Sequence, residues 1–281
     1  MRLAVGTANF GSRYGVFNTK IKNPRKIFKF LKKNNIDYID TALNYKNQKT
    51  LIKENLNKFK IITKIKLPIK KKKLFIKNLE FQINRELTKL NIESFDYILF
   101  HDINDLSDKI SKNFVKKVQL LKKHKFTKGI GVSIYNPDDL KLVFNHLTPD
   151  LIQVPINIFD TRFLNSRWFK KIKNKSIKIQ ARSIFLQGAL VKDLRSLEKI
   201  NNKKLFNNVR KFDNWCKINN LSRLEACIYF IKSINNVNIV TLGFENIEQL
   251  KKIVNIIKKR KKIKFKNFSI KNLQIIDPRK W

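Results

Sequence analysis

Residues 95–102 read FDYILFHD, a largely apolar run that ends directly in two polar residues. The run has the length of a β-strand, and its apolar residues occupy neighbouring positions instead of alternate ones. That pattern is typical of a strand that is buried on both faces, as in a parallel sheet covered by helices. The segment therefore predicts a buried strand of an α/β protein.

Seven further runs of this kind occur along the chain. They are residues 3–5, 36–41, 61–65, 129–134, 151–156, 177–181 and 238–242. Helical patterns lie between them; residues 79–90, for example, carry apolar side chains at spacings of four, four and three. Eight strand–helix alternations in about 250 residues predict an α/β fold, a single (β/α)8 TIM barrel that forms one domain over residues 1–281.

The alternative to a barrel is a doubly wound sheet. Such a sheet usually carries a glycine-rich phosphate-binding loop after its first strand, and residues 6–11, GTANFG, do not have that spacing. The barrel is therefore favoured. In a barrel the functional residues are expected at the carboxyl ends of the strands.

The chain is strongly cationic. It has 281 residues, with 62 Lys plus Arg against 21 Asp plus Glu, and a formal net charge of +41. Only 12 of the cations are Arg; the Lys residues are spread along the chain with abundant Asn, Ile and Phe, which all have AT-rich codons. This pattern favours a solvated surface shaped by codon composition, with no specific nucleic-acid site. The alternative, a polyanion-binding protein, requires a focused basic face and binding that survives physiological salt.

Several classes of protein are disfavoured by what the sequence lacks. No run approaches the ~18 apolar residues of a membrane span, and the first residues do not have the layout of a signal peptide. The two cysteines, Cys216 and Cys227, make neither a disulfide framework nor a metal site. No cluster of His, Cys and carboxylates has the spacing of metal ligands. We expect a cytoplasmic protein without membrane insertion and without a metal.

Four ionisable residues at successive strand ends form a candidate catalytic group: Asp40, Tyr45, Lys64 and His101. Lys64 interrupts an apolar strand, where a charge is costly unless it is paired. Reduction of a carbonyl by hydride transfer needs a proton donor at the developing alkoxide, and a phenol can serve if a nearby cation lowers its pKa. Tyr45 would be this acid, Lys64 the cation with Asp40 as its partner, and a neutral His101 would orient the carbonyl oxygen.

Four segments resemble, in the same order, the signatures of the aldo-keto reductases. They are residues 40–45 (DTALNY), 62–64 (ITK), 96–101 (DYILFH) and 131–133 (GVS), and the similarity runs from about Gly6 to Leu250. The resemblance implies a (β/α)8 barrel that reduces aldehydes and ketones with NADPH or NADH and without a metal. It also implies that the four ionisable residues are the catalytic tetrad of the family.

Two further stretches resemble a bacterial branch of this family that is often found among surface-polysaccharide genes. They are GTANFGSRYG at residues 6–15 and ARSIFLQGAL at residues 181–190. This weaker resemblance favours a small, sugar-derived carbonyl compound as the substrate. It implies nothing about the oligomeric state.

The resemblance also implies a cofactor site. Ser133 and Gln153 match the positions that hold the nicotinamide carboxamide, and Arg182 stands where many members stack an aromatic ring on the nicotinamide. A guanidinium repels oxidised nicotinamide more than the reduced form, so we expect Arg182 to favour reduced cofactor. Gln187 and Gly188 would lie along the pyrophosphate.

The adenosine-binding segment of the family resembles residues 243–250, in which we assign Gly243, Glu245 and Gln249 to the cofactor. Members that bind a 2′-phosphate commonly have Arg at the position of Glu245. A carboxylate repels that phosphate and accepts a hydrogen bond from a ribose hydroxyl, which favours NADH. The nearby Lys251 and Lys252 provide charge that would restore binding of NADPH.

Three further positions depart from the family pattern. Ile134 replaces an Asn that often follows the serine, and Lys46 and Gln48 replace the usual Gly and Glu after the tyrosine. These departures leave a second hypothesis open, namely a barrel that binds nicotinamide cofactor with weak catalysis and serves as a sensor or interaction protein.

Overall fold

The computed structural model describes residues 1–46, 48–107 and 109–281, except for the side chains of residues 48 and 49. Eight parallel strands form a closed barrel, and the last strand pairs with the first. This closure confirms the predicted (β/α)8 barrel and excludes the doubly wound sheet, which has two open edges. The strands are β1 (Arg2–Gly6), β2 (Tyr38–Asp40), β3 (Lys60–Ile65), β4 (Phe95–Phe100), β5 (Thr127–Ser133), β6 (Leu151–Pro155), β7 (Lys178–Arg182) and β8 (Ile239–Leu242).

Helices connect the strands and follow the last of them. They are α1 (Pro24–Lys33), α2 (Gln48–Leu51), α3 (Lys72–Lys77), α4 (Leu79–Leu90), α5 (Ser111–Lys123), α6 (Asp139–His146), α7 (Arg167–Asn174), α8 (Lys203–Ile218), α9 (Arg223–Ser233), α10 (Ile247–Lys258) and α11 (Leu273–Ile276). The apolar residues whose spacing predicted α4 are all buried. No helix among the described residues is both long and apolar enough to span a lipid bilayer.

Alternation along the strands divides the apolar residues into two groups. In β4, Ile98 and Phe100 belong to the main core, whereas Tyr97 and Leu99 belong to a second, smaller cluster. Because successive side chains of a strand point to opposite faces, the two groups lie on opposite sides of the barrel wall. The smaller cluster fills the barrel interior; its buried members are Ala4, Ile62, Tyr97, Leu99, Leu151 and Ile239.

Beyond the smaller apolar cluster, the inward-facing positions of the strands are occupied by polar side chains. Lys64 lies two residues after Ile62 in β3, and Gln153 lies two residues after Leu151 in β6. Residues two apart share a face of a strand, so these polar groups also point into the barrel, towards the carboxyl ends. The strand pattern itself therefore places the candidate site at that end.

Gly131 is required by the packing of the barrel wall. It is paired in register with Leu151 of the neighbouring strand. A Cβ atom at this position would lie 2.1 Å from the carbonyl oxygen of Leu151 and 2.6 Å from Cδ2 of Leu99. Only glycine allows the two strands and the inner cluster to approach this closely.

Candidate active site

A cavity of about 370 Å³ lies at the carboxyl ends of the strands. Its lining contains all four candidate catalytic residues and all eight residues that the sequence assigned to the cofactor. They are Asp40, Tyr45, Lys64, His101, Ser133, Gln153, Arg182, Gln187, Gly188, Gly243, Glu245 and Gln249. The structure thus brings the twelve positions together in one cavity, while the role of each remains a prediction.

Asp40 and Lys64 form a buried ion pair. The side chain of Lys64 is 3% exposed, and its Nζ lies 2.5 Å from Oδ1 of Asp40. The same ammonium group donates a hydrogen bond to the carbonyl oxygen of Thr41 at 2.8 Å. A charge within an apolar strand needs such compensation, so this pair explains how β3 accommodates Lys64.

The second carboxylate oxygen of Asp40 accepts hydrogen bonds from two amides. Nε2 of Gln153 lies 2.5 Å from Oδ2, and Nε2 of Gln180 lies 2.7 Å from it. Gln153 in turn accepts a hydrogen bond from Oγ of Ser133 at 2.8 Å. The two residues assigned to the carboxamide are therefore connected to each other and to the Asp40–Lys64 ion pair.

Gln180 was missed by the sequence reasoning. It is fully buried on β7, and its amide also donates to Oγ1 of Thr241 at 2.7 Å. The signal was present, because Gln180 interrupts an apolar strand in the same way as Lys64 does. The partner, Asp40, lies 140 positions away in the sequence and became evident only in the folded barrel.

Tyr45 and His101 lie beside this ion pair. Their rings meet edge to face with centroids 6.1 Å apart, and Nζ of Lys64 lies 5.6 Å from the centroid of the Tyr45 ring. Nδ1 of His101 is buried and has no hydrogen-bond partner in the described part of the chain. An N–H group at the buried Nδ1 would have no acceptor, which costs free energy, so the neutral imidazole carries its proton on Nε2. Nε2 is then a hydrogen-bond donor.

The imidazole of His101 is neutral at physiological pH. Burial lowers its pKa to about 4, and the positive charges of Lys64 and Arg182 act in the same direction. Burial and the charge of Asp40 raise the pKa of Tyr45 above its ordinary value, whereas Arg182 lowers it. We expected Lys64 to lower this pKa overall, but the cation that lowers it is Arg182, and desolvation outweighs that cation. The phenol is consequently protonated, as a proton donor must be.

Arg182 has a defined position at the end of β7. Its guanidinium carbon lies 3.9 Å from the centroid of the Tyr135 ring, and Nη2 donates to the carbonyl oxygen of Ile134 at 3.1 Å. The guanidinium of Arg279, in the carboxyl-terminal segment, also lies over the Tyr135 ring, at 3.3 Å. Neither Tyr135 nor Arg279 was singled out in the sequence, where no local pattern connects them.

The loops that follow β1 and β7 meet at the cavity. The backbone N–H of Val16 donates to Oε1 of Gln187 at 3.2 Å. Gly188 has a φ of 97°, a left-handed conformation that favours glycine, and a Cβ there would lie 3.3 Å from the ring of Phe17. The loop assigned to the pyrophosphate is thus held close to the loop after the first strand.

Glu245 is paired with a cation that the sequence reasoning missed. Nζ of Lys192 lies 2.8 Å from its carboxylate, and the backbone N–H of Glu245 donates to Oε1 of Gln249 at 2.8 Å. Lys251, which we expected to act near Glu245, instead pairs with Glu248 at 2.9 Å. Lys192 is therefore a cation in contact with the predicted adenosine site.

Comparisons with known proteins agree with this architecture. The model of the Aldo/keto reductase family matches residues 2–272. The holo form of the aldo-keto reductase AKR11C1 from Bacillus halodurans superposes with a TM-score of 0.72 at 17% identity, over 92% of this chain and 87% of that one. PA4992 of Pseudomonas aeruginosa, a protein assigned to the aldo-keto reductases, gives a TM-score of 0.64 at 14% identity, over 91% and 88%. No curated protein sequence matches significantly.

Proposed function

Because the chain belongs to the aldo/keto reductase family, we propose that it reduces an aldehyde or ketone to the alcohol with NADPH or NADH, and that Tyr45 donates the proton. One observation carries the proposal. Tyr45, His101 and the buried Asp40–Lys64 pair line the same cavity as every residue assigned to the cofactor. A carbonyl group in this cavity would have donors and a cation around its oxygen.

The cavity fits a nicotinamide dinucleotide in the chemistry of its lining. When bound, the reduced nicotinamide supplies the hydride for the carbonyl carbon. We assign the carboxamide to Ser133 and Gln153 and the flank of the nicotinamide ring to Arg182. The glycine at 188 supports contact with a phosphate group, because it leaves the backbone open to close approach. The other assignments are Gln187 at the pyrophosphate and Gly243, Glu245 and Gln249 at the adenosine.

Tyr45 and the residues around it have separate roles in the proposed proton transfer. The neutral His101 donates a hydrogen bond from Nε2 to the carbonyl oxygen and orients it. Tyr45 transfers its phenolic proton to that oxygen as negative charge develops there. Lys64, held in place by Asp40, and Arg182 then stabilise the phenolate that remains.

The pH profile tests the assignment of His101. With a pKa of about 4, its imidazole stays neutral as the pH falls from 7 towards that value. We therefore expect kcat/KM for a neutral aldehyde to change less than about threefold between pH 7 and pH 5, since a neutral donor is retained throughout. Steady-state rates, with circular dichroism to verify folding at each pH, provide the measurement. An acid limb near the ordinary imidazole value of about 6.5 would contradict a lowered pKa.

We propose a preference for NADH over NADPH. The carboxylate of Glu245 lines the cavity and would repel a 2′-phosphate in contact with it, whereas its partner Lys192 is not among the described residues of that lining. Glu245→Gln should lower the KM for NADPH by about 5- to 10-fold and leave the KM for NADH nearly unchanged. Initial rates with both cofactors test this. The matched control is Glu248→Gln, which removes the next carboxylate in the sequence, an exposed one. A wild-type enzyme with the lower KM for NADPH would overturn the preference.

We propose a sugar-derived carbonyl compound as the substrate. The support is the similarity of residues 6–15 and 181–190 to the bacterial branch described above. A panel of aldoses, ketoses and simple aldehydes with both cofactors tests this. Highest kcat/KM values for simple aldehydes would contradict the proposal.

A further inference from the structure

Within the described part of the chain, the cavity wall carries one positive charge that no carboxylate balances. Among the described residues that line it, the charged ones are Asp40, Lys64, Arg182 and Glu245. Asp40 and Lys64 compensate each other, and Lys192 compensates Glu245. Arg182 is left with a carbonyl oxygen, a hydroxyl at 3.4 Å and an aromatic ring as its contacts.

Two other arginines, in contrast to Arg182, are each paired with a carboxylate. Arg279 forms a two-pronged pair with Asp277, with Nη2 at 2.6 Å from Oδ2 and Nε at 2.9 Å from Oδ1. Arg162 pairs in the same manner with Asp160. In the described part of the chain, Arg182 therefore has an unmatched charge at the cavity wall, although an uncompensated charge in a partly desolvated site is costly.

The position of Arg182 is fixed before any ligand binds. The hydrogen bond to Ile134 and the contact with Tyr135 set the plane of its guanidinium, and Arg279 lies against the same Tyr135 ring. A guanidinium has five N–H donors, and its contacts within the chain occupy only some of them. A group held in this way binds a carboxylate or a phosphate with little loss of conformational entropy.

We propose that Arg182 binds an anionic group, a carboxylate or a phosphate, on the carbonyl substrate itself. The inference rests on the proposed function and adds the chemical class of the substrate. Arg182 lines the same cavity as Tyr45 and His101, and its charge lowers the pKa of both, so a carbonyl group bound beside them would also lie within the field of this charge. The pyrophosphate of the cofactor is assigned elsewhere, to Gln187 and Gly188. A nicotinamide ring on Arg182 would cover a face of the guanidinium, whereas the anion would bind the N–H groups at its edge.

Two matched pairs of aldehydes test the proposal at 150 mM salt, which screens the general surface charge. One pair is 4-carboxybenzaldehyde and its methyl ester, methyl 4-formylbenzoate; the other is D-glyceraldehyde 3-phosphate and D-glyceraldehyde. For the wild type we expect kcat/KM to be about 10- to 100-fold higher for the anionic member of at least one pair, as a charge-assisted hydrogen bond requires. The pair with the larger ratio identifies the carboxylate or the phosphate.

The variant Arg182→Gln should reduce that ratio to within about threefold of unity. Because the ratio compares two substrates with one enzyme, any effect of the substitution on cofactor binding cancels. The control is Lys175→Gln, which removes one exposed charge at the end of α7, beyond the amino-terminal ends of the strands, and should leave the ratio unchanged. A wild-type ratio near one, or equal ratios in the wild type and Arg182→Gln, would overturn the proposal. An equal decrease of this ratio in Lys175→Gln would also overturn the proposal, since the overall positive charge of the protein would then be the cause.

A binding experiment separates this inference from the proposed function. Calorimetry with 4-(hydroxymethyl)benzoate, the alcohol that corresponds to the first aldehyde, and with its methyl ester requires no turnover. Tighter binding of the carboxylate that is lost in Arg182→Gln supports the anion site even if no aldehyde is reduced. Equal binding of the two compounds overturns the anion site even if reduction of neutral aldehydes proceeds.

Discussion

Tyr45→Phe is expected to lower kcat for a neutral aldehyde by about 10²- to 10⁴-fold, the contribution of a positioned general acid. The substitution removes the proton that must reach the carbonyl oxygen, while the ring that meets His101 is retained. Cofactor binding should therefore remain within about twofold of the wild type, since the hydroxyl is not among the groups assigned to the cofactor. Oxidation of NADH and NADPH under single-turnover conditions, together with a fluorescence titration of cofactor, measures both quantities.

Tyr14→Phe is the matched control for this variant. Tyr14 lines the same cavity, and burial raises the pKa of its phenol to about 12, so it also is protonated. We expect its removal to change kcat by less than about threefold, because the proton comes from Tyr45. A larger loss of kcat in Tyr14→Phe than in Tyr45→Phe would identify Tyr14 as the proton donor.

The same experiment decides between the enzyme and the alternative of a cofactor-binding barrel with weak catalysis. That alternative predicts that the wild type binds cofactor but oxidises it no faster than Tyr45→Phe does. The described structure favours catalysis, because the ion pair, the neutral imidazole and the protonated phenol are all in one place. Equal rates for the two proteins with every carbonyl of a broad panel would instead support the cofactor-binding barrel with weak catalysis.

Gly131→Ala is expected to destabilise the fold by at least about 3 kcal/mol, a value at the upper end for overpacking. The added methyl group would lie 2.1 Å from the carbonyl oxygen of Leu151, which is backbone of the paired strand and cannot move aside as a side chain can. The two strands would have to separate within a closed barrel, where each strand is fixed by two neighbours. Urea-induced unfolding followed by circular dichroism measures the loss.

Two other glycines make this prediction testable even if Gly131→Ala does not fold. At Gly129 the new methyl group would meet the ring of Tyr97 at 2.7 Å, a side chain that has some freedom to shift, so Gly129→Ala should be destabilised by a smaller amount. At Gly243 no atom lies within 4 Å of such a group, and Gly243→Ala should remain within about 0.5 kcal/mol of the wild type. Similar unfolding free energies for all three variants would refute the steric explanation.

Much of the architecture was predictable because its signals are local. A strand buried on both faces requires a continuous apolar run, so the eight runs identified β1 to β8 with small errors at their ends. The run in β4 coincides with the observed Phe95–Phe100, while β2 is the shorter Tyr38–Asp40 in place of residues 36–41. Polar residues at strand ends were also visible in the sequence, since a charge such as that of Lys64 stands out against apolar neighbours.

The partners of those residues depended on the tertiary structure. Lys192 and Glu245 are 53 positions apart, and Gln180 and Asp40 are 140 apart, so no spacing in the sequence connects them. The direction of the shift in the pKa of Tyr45 likewise depended on how much water the folded cavity excludes. Residue types alone do not reveal this. The sequence by itself therefore determined the eight-strand barrel and the end of it at which the site lies, because continuous apolar runs and the polar residues at their ends are local features of single strands. Only the tertiary structure decided which charges are balanced and that Arg182 has no carboxylate partner among the described residues. The balance of charge depends on distances between atoms that closure of the barrel brings together.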